Sequence, residues 1–250
     1  MCQWAVASIR SRGYNSRVEV RDIHRWDVSI AEAVEIQRSL AGQVVREGRC
    51  HGVELVAGVD ISGALETGLA RGVIVVLRYP GMEVVERSIV TMKVAFPYVP
   101  GLLSFREMPL IIAACEQLRT RPDLFVVDGQ GIAHPRRLGL AAHLGLMLDM
   151  PVIGCAKSIL CGYHEALGGE PGDRAPLIDN DEIVGMALRT KHSVKPVYVS
   201  IGHKIDLDEA CRWVLSCCKG YRLPEPTRLA HRAASGDNNR VGRGKGARTT

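Results

Sequence analysis

Asp60 and Asp128 each close an apolar run, Glu54-Leu-Val-Ala-Gly-Val-Asp60 and Leu124-Phe-Val-Val-Asp128. A carboxylate ending a buried strand sits at the carboxyl edge of a sheet, where open α/β sheets place ligands. Two such strands side by side bring both carboxylates within reach of one hard cation, which takes oxygen ligands. Taken singly, each aspartate is also explained as a turn cap. Glu107 has a rival reading too, because Ser104-Phe-Arg-Glu107 fits the S-x-x-E capping box, and on spacing alone the cap is favoured. A third carboxylate near the same edge would complete a site for one or two Mg²⁺ that orients water and stabilises a leaving oxygen.

Lys157 follows the apolar run at 152–155 and reaches the same edge, where an ammonium can stabilise charge on a phosphoryl oxygen. A solvated surface lysine is the plainer reading. His134-Pro-Arg136-Arg137, close behind Asp128, is a cationic loop of the kind that binds phosphate through N–H groups and arginine forks. Simple solvation explains that loop equally well. Tyr98 stands between Pro97 and Pro100 on a stiffened loop. An aromatic presented this way suits a wedge in a base stack, and packing on its own domain is the alternative.

These residues need a scaffold, and the hydrophobic pattern supplies one. Residues 28–47 have helical periodicity, with Asp27 or Ser29 as the cap. Runs at 53–61, 71–79 and 84–94, turned at Pro80-Gly81, predict an antiparallel meander at one side of a sheet. Helices at 103–119 and 138–150 then alternate with short apolar strands at 124–128 and 152–155, which implies parallel pairing with helices on the faces. Strands at 183–189 and 197–201 and a helix at 207–219 complete the domain, with 171–176 as a loop. The expected class is α/β with a mixed sheet.

With 46% hydrophobic and 24% charged residues, the 250-residue chain has the balance of one globular domain. No apolar run approaches the roughly 20 residues of a membrane helix, and residues 1–14 lack the apolar segment of a secretion signal. A cytoplasmic protein is expected. None of the eight cysteines forms a Cys-x-x-Cys pair. Cys161 and His164 lack a second pair at zinc spacing, so neither a zinc site nor a disulfide framework is expected. Of the net charge of +5, +4 falls after Ala230 to the end, on Arg232, Arg240, Arg243, Lys245 and Arg248 against Asp237. Residues 1–234 read as one domain and 235–250 as a disordered basic tail, serving either as an electrostatic arm for phosphate backbone or as a solubilising end.

Seven segments in order resemble endonuclease V. They are Val56-Ala-Gly-Val-Asp60-Ile-Ser62, the stretch from Pro97 to Glu107, and Asp128-Gly-Gln-Gly-Ile-Ala-His134-Pro-Arg-Arg137. After them come Gly154-Cys-Ala-Lys157, Pro176-Leu-Ile-Asp179, Tyr198-Val-Ser-Ile-Gly-His203 and Leu223-Pro-Glu-Pro-Thr-Arg228-Leu-Ala-His231. The resemblance spans about residues 31–232. Cys155, where many relatives have Val, and Ile201, which replaces a common Pro, depart from it.

The resemblance implies a ribonuclease H-like fold and cleavage of the second phosphodiester bond 3′ to a deoxyinosine nucleotide, leaving a 5′-phosphate. It makes Asp60, Glu107 and Asp128 the ligands of Mg²⁺, with Mn²⁺ as a substitute. Lys157 lies near the scissile phosphate, His231 is a further polar group near the metal, and Tyr98 is the wedge. Gly101, Leu103, Gly129 and Leu140 shape the pocket of the flipped base, and His134 joins the substrate-binding set. The expected partner is deoxyinosine-containing DNA, with an inosine-directed ribonuclease and a non-catalytic nucleic-acid-binding module as alternatives. A monomer is expected, since there is no coiled-coil repeat.

Overall fold

The computed structural model describes residues 17–63 and 68–236. Residues 1–14 and most of the tail read as 235–250 lie outside them. Among the described residues eight strands form one sheet in the order β3-β2-β1-β4-β5-β8-β7-β6. The chain runs α1 (Ile30–Ala41), β1 (Leu55–Gly63), β2 (Leu69–Arg78), β3 (Glu83–Lys93), α2 (Leu103–Gln117), β4 (Leu124–Val127) and α3 (Leu140–Leu148). It continues with β5 (Val152–Ala156), β6 (Arg174–Asp179), β7 (Glu182–Leu188), β8 (Val197–His203), α4 (Leu207–Ser216) and α5 (Glu225–Ala234).

The meander β1-β2-β3 is antiparallel, and β4 and β5 run parallel to β1. This is the ribonuclease H-like arrangement, extended here by β8, β7 and β6. β4 is apolar at every position because both of its faces are covered, as parallel strands require. Side chains alternate between two layers. Val56, Leu124, Val126, Ile153 and Cys155 face α4 and α5. Leu55, Ala57, Val59, Phe125 and Val127 face α2 and α3. Among the described residues no helix is long and apolar enough to cross a membrane.

Four expectations need correction. The first helix stops at Ala41 rather than Glu47, although Ser29 does cap it and Glu32 completes a capping box. The stretch 171–176 is only partly a loop, since β6 begins at Arg174 and pairs with β7. α2 already starts at Leu103, so Ser104 lies inside the helix and no side chain caps it. The capping-box explanation of Glu107 therefore fails. Finally, α5 was not expected as a helix at all: Pro224 and Pro226 hide it, yet proline is tolerated at a cap and in the first turn.

α5 crosses β1 at Gly58, where a Cβ would lie 1.9 Å from the Pro226 carbonyl oxygen. Only glycine permits this approach. Gly58→Ala is expected to displace α5 and destabilise the fold by about 1–3 kcal/mol, the usual cost of overpacking. Urea melts of the two proteins check this, and equal midpoints would show that the helix packs elsewhere.

Candidate active site

The register of the parallel strands builds the site. Val59 pairs with Val127, and the Asp128 amide donates to the Val59 carbonyl at 2.9 Å. Asp60 and Asp128 therefore occupy the next rung of neighbouring strands, and alternation turns both towards the face that carries α5. Lys157, just past β5, has the same parity. Its ammonium is ion-paired with Asp128. Arg222 secures that segment by donating to the Lys157 carbonyl at 2.6 Å and the Pro196 carbonyl at 2.8 Å.

α5 brings His231 to this edge. Its Nδ1 lies 3.0 Å from Asp60 Oδ2 and 3.4 Å from Lys157 Nζ. Both contacts fall on Nδ1, which in a neutral ring either donates to the aspartate or accepts from the lysine. One ligand atom each from Asp60, Asp128 and His231 falls within 4.8 Å of the other two, which is the spacing of a cation site. Glu107, half-buried on α2, approaches the edge from the other side of the sheet and stands outside that group.

The crowding shows in the acidities. Burial and then the Asp128 charge push Asp60 up to about 6, against the pull of His231 and Lys157. Burial, then Asp60 and Asp128, push Glu107 up to about 8, with Arg106 opposing. Negative charge here exceeds what the protein's own cations neutralise. Oxygen-rich, undercompensated donors of this kind fit a hard divalent ion.

Next to the acidic edge lies a cavity of about 130 Å³. Gly101, Leu103, Gly129 and Leu140, expected to shape the pocket of a base, all line it, as do Tyr98, expected as a wedge, and His134, expected among the substrate-binding residues. Tyr98 is 64% exposed at the mouth and does not pack on its own domain. Sequence reasoning missed other lining residues, Gln37, Ser104, Gln130 and Leu160 among them. Gln37 carried no signal because its helix is far away in sequence, and Gln130 was read only as part of a glycine-rich turn.

The cationic loop does not present its arginines to solvent as expected. Arg137 pairs with Asp179 at 2.7 Å and Glu182 at 2.6 Å. Arg136 donates to the Gly101 carbonyl at 2.7 Å and to Gln37 Oε1 at 2.5 Å. The same carbonyl accepts from Gln37 Nε2 and His134 Nε2, each at 2.9 Å. Burial lowers His134 to about 4, so the ring is neutral, and its Nδ1 accepts from the Arg136 amide. That bond assigns the proton to Nε2. Gly101 itself has φ +78, a conformation that favours glycine.

The family model for endonuclease V matches residues 38–232. Endonuclease V of Gloeobacter violaceus is 55% identical over 212 residues, covering 84% of this chain and 86% of that one. The crystal structure of endonuclease V from Bacillus subtilis is 32% identical with a TM-score of 0.83, covering 87% of this chain and 96% of that one. Endonuclease V of Ciona intestinalis, solved in complex with a 24mer DNA containing an inosine followed by a ribo-adenosine, is 28% identical with a TM-score of 0.74. The two chains are covered to 83% and 97% in that comparison. With a family model and a close relative both spanning most of its length, this chain belongs to the endonuclease V family.

Proposed function

We propose that the chain is a metal-dependent DNA repair endonuclease that unstacks a hypoxanthine base and hydrolyses the second phosphodiester bond 3′ to it. The observation that carries this reading is a juxtaposition: the base-sized cavity and the acidic edge share a border at Asp128 and Gly129. The inosine-containing DNA bound to the Ciona relative supports the same substrate class.

Asp60, Glu107 and Asp128 would hold Mg²⁺, with Mn²⁺ as a substitute and His231 alongside. A bound cation at such a site lowers the pKa of a water and offsets charge on phosphoryl oxygens. The protein's own groups do the rest. Lys157, fixed by Asp128 and Arg222, donates to the phosphate as charge builds on its oxygens. His231 holds Asp60 in place through its Nδ1 contact. Tyr98 enters the gap left by the extruded base. Extrusion costs a few kcal/mol and is cheapest for a poorly paired base, so lesions are favoured over normal DNA.

Asp128→Asn is expected to lower nicking of a duplex with one deoxyinosine by about a thousandfold or more, because one of the groups that fix the cation is lost. Binding of that duplex should change little. The assay compares end-labelled DNA with Mg²⁺ and with EDTA, and an active variant would remove Asp128 from the metal site. Matched inosine RNA digested in parallel decides which sugar the enzyme prefers.

The acidities give a second expectation. Asp60 and Glu107 hold their protons more tightly when folded than their ordinary values of 3.8 and 4.5 allow. The folded state therefore binds more protons, and stability falls as pH rises. In EDTA the Tm should decline between about pH 4 and pH 8, the span from the ordinary acidities to the raised value of Glu107. Mg²⁺ should recover most of that loss at the upper end, since it binds the folded state alone. Melts with and without Mg²⁺ across this range check it, and parallel curves would show that no cation relieves these carboxylates.

A further inference from the structure

Among the described residues, four buried side-chain atoms have no hydrogen-bond partner: Ser104 Oγ, Asp128 Oδ2, Gln130 Oε1 and His143 Nδ1. Asp128 Oδ2 faces the Lys157 ammonium. His143 sits in an aromatic group with His24, Trp26 and Phe105. The other two atoms belong to Ser104 and Gln130, residues that line the same cavity. These residues are only 2% and 8% exposed. An orphaned buried polar atom destabilises the fold, so two beside one cavity point to a ligand that satisfies both.

The geometry defines what that ligand must offer. Gln130 Nε2 donates to the Ser158 carbonyl at 2.8 Å. Turning the amide over would set carbonyl against carbonyl, so Oε1 is fixed as an acceptor aimed at a donor. Ser104 Oγ can rotate and donate. A base edge carrying one N–H beside one carbonyl oxygen matches the pair, and hypoxanthine has that edge in N1–H and O6. Adenine, its parent before deamination, presents a bare N1 and an amino group instead. At Gln130 Oε1 that would bring two lone pairs together.

Resting on the function proposed above, we infer that Gln130 separates hypoxanthine from adenine by accepting the base N1–H, while Ser104 donates to O6. A site with a fixed polar group rejects the analogue that leaves it unmet far better than an apolar pocket rejects a shape. Guanine keeps the N1–H, so its exclusion falls to its extra 2-amino group and not to Gln130. The same amide holds the carbonyl of Ser158, next to Lys157, and so joins base reading to the cutting end of the site.

The test uses matched duplexes carrying inosine or nebularine, a purine with a bare N1 and no O6. Binding to the full-length wild type, Gln130→Met and Ser104→Ala is measured by fluorescence anisotropy with Ca²⁺ in place of Mg²⁺. The wild type is expected to prefer inosine by roughly tenfold or more, the value of about one buried hydrogen bond. Gln130→Met should bring the two affinities to within about twofold by weakening inosine alone. Ser104→Ala should weaken inosine by a smaller factor and leave nebularine unchanged. A Gln130→Met protein that loses both duplexes equally, or keeps the full preference, overturns the inference. Cleavage of the inosine duplex by the wild type, run beside it with Mg²⁺, keeps the two proposals apart. A wild type that neither binds nor cuts overturns the proposed function and this inference with it, whereas intact cutting with unchanged discrimination overturns the inference alone.

Discussion

Asp60 and Asp128 stand on adjacent rungs of two parallel strands, close enough that their repulsion shapes everything nearby. At the 4.8 Å limit of their grouping, two unit charges cost roughly 3.5 kcal/mol at an effective dielectric of 20. Burial first, and this repulsion second, raise the Asp60 pKa to about 6. Lys157 and His231 pull in the opposite direction. Such a pair persists because the strands that carry it are buried on both faces. Moving either carboxylate away would break the β1–β4 ladder and expose Val126 and Val127, both fully buried. The core holds the charges together at a spacing that suits a cation.

The cavity is held open by the opposite device, an excess of donors. The Gly101 carbonyl takes hydrogen bonds from Gln37, His134 and Arg136. Three donors on one acceptor tie α1, the 134–136 loop and the proline-flanked turn into one wall. Gln37 extends the tie to the Leu138 carbonyl at 3.0 Å. Tyr98 thus projects from a turn that is fixed before any substrate arrives. The ordering entropy is met during folding rather than on binding. This also explains why the basic loop faces inward: its arginines hold the pocket's shape.

The parallel strands were legible because a doubly covered strand has to be apolar, and in β1 and β4 the apolar run leads straight into an aspartate. The same logic failed for α5, whose face towards the core is made of Ala230, Ala233 and Ala234. Alanines give a weak periodic signal, and the prolines ahead of them read as loop. The S-x-x-E pattern is more instructive. It is a real cap at Ser29, where the chain arrives extended. At Ser104 it is not, because Leu102 already donates to the Val99 carbonyl and Phe105 to that of Leu102, so the turn is wound before the serine. Spacing alone does not carry what precedes it. Nor does a run of charges show which way it points, as Arg136 and Arg137 demonstrate.

The order of assembly follows from where the parts lie in the chain. Asp60 and His231 are 171 residues apart, and the approach of Pro226 to Gly58 brings them together. Contacts of such separation form only after the intervening chain has closed. The acidic edge is complete only where α5 covers the sheet. Without that cover, Asp60 and Asp128 remain open to water, which screens their repulsion while the core forms. Docking α5 removes the water and sharpens the charge, and the same step supplies His231. A helix with little apolar surface suits this role, because it is held by close fit over one glycine and not by early collapse. Folding and site formation thus become one event at this edge, and the strongest electrostatic cost falls due only when the groups that offset it are in place.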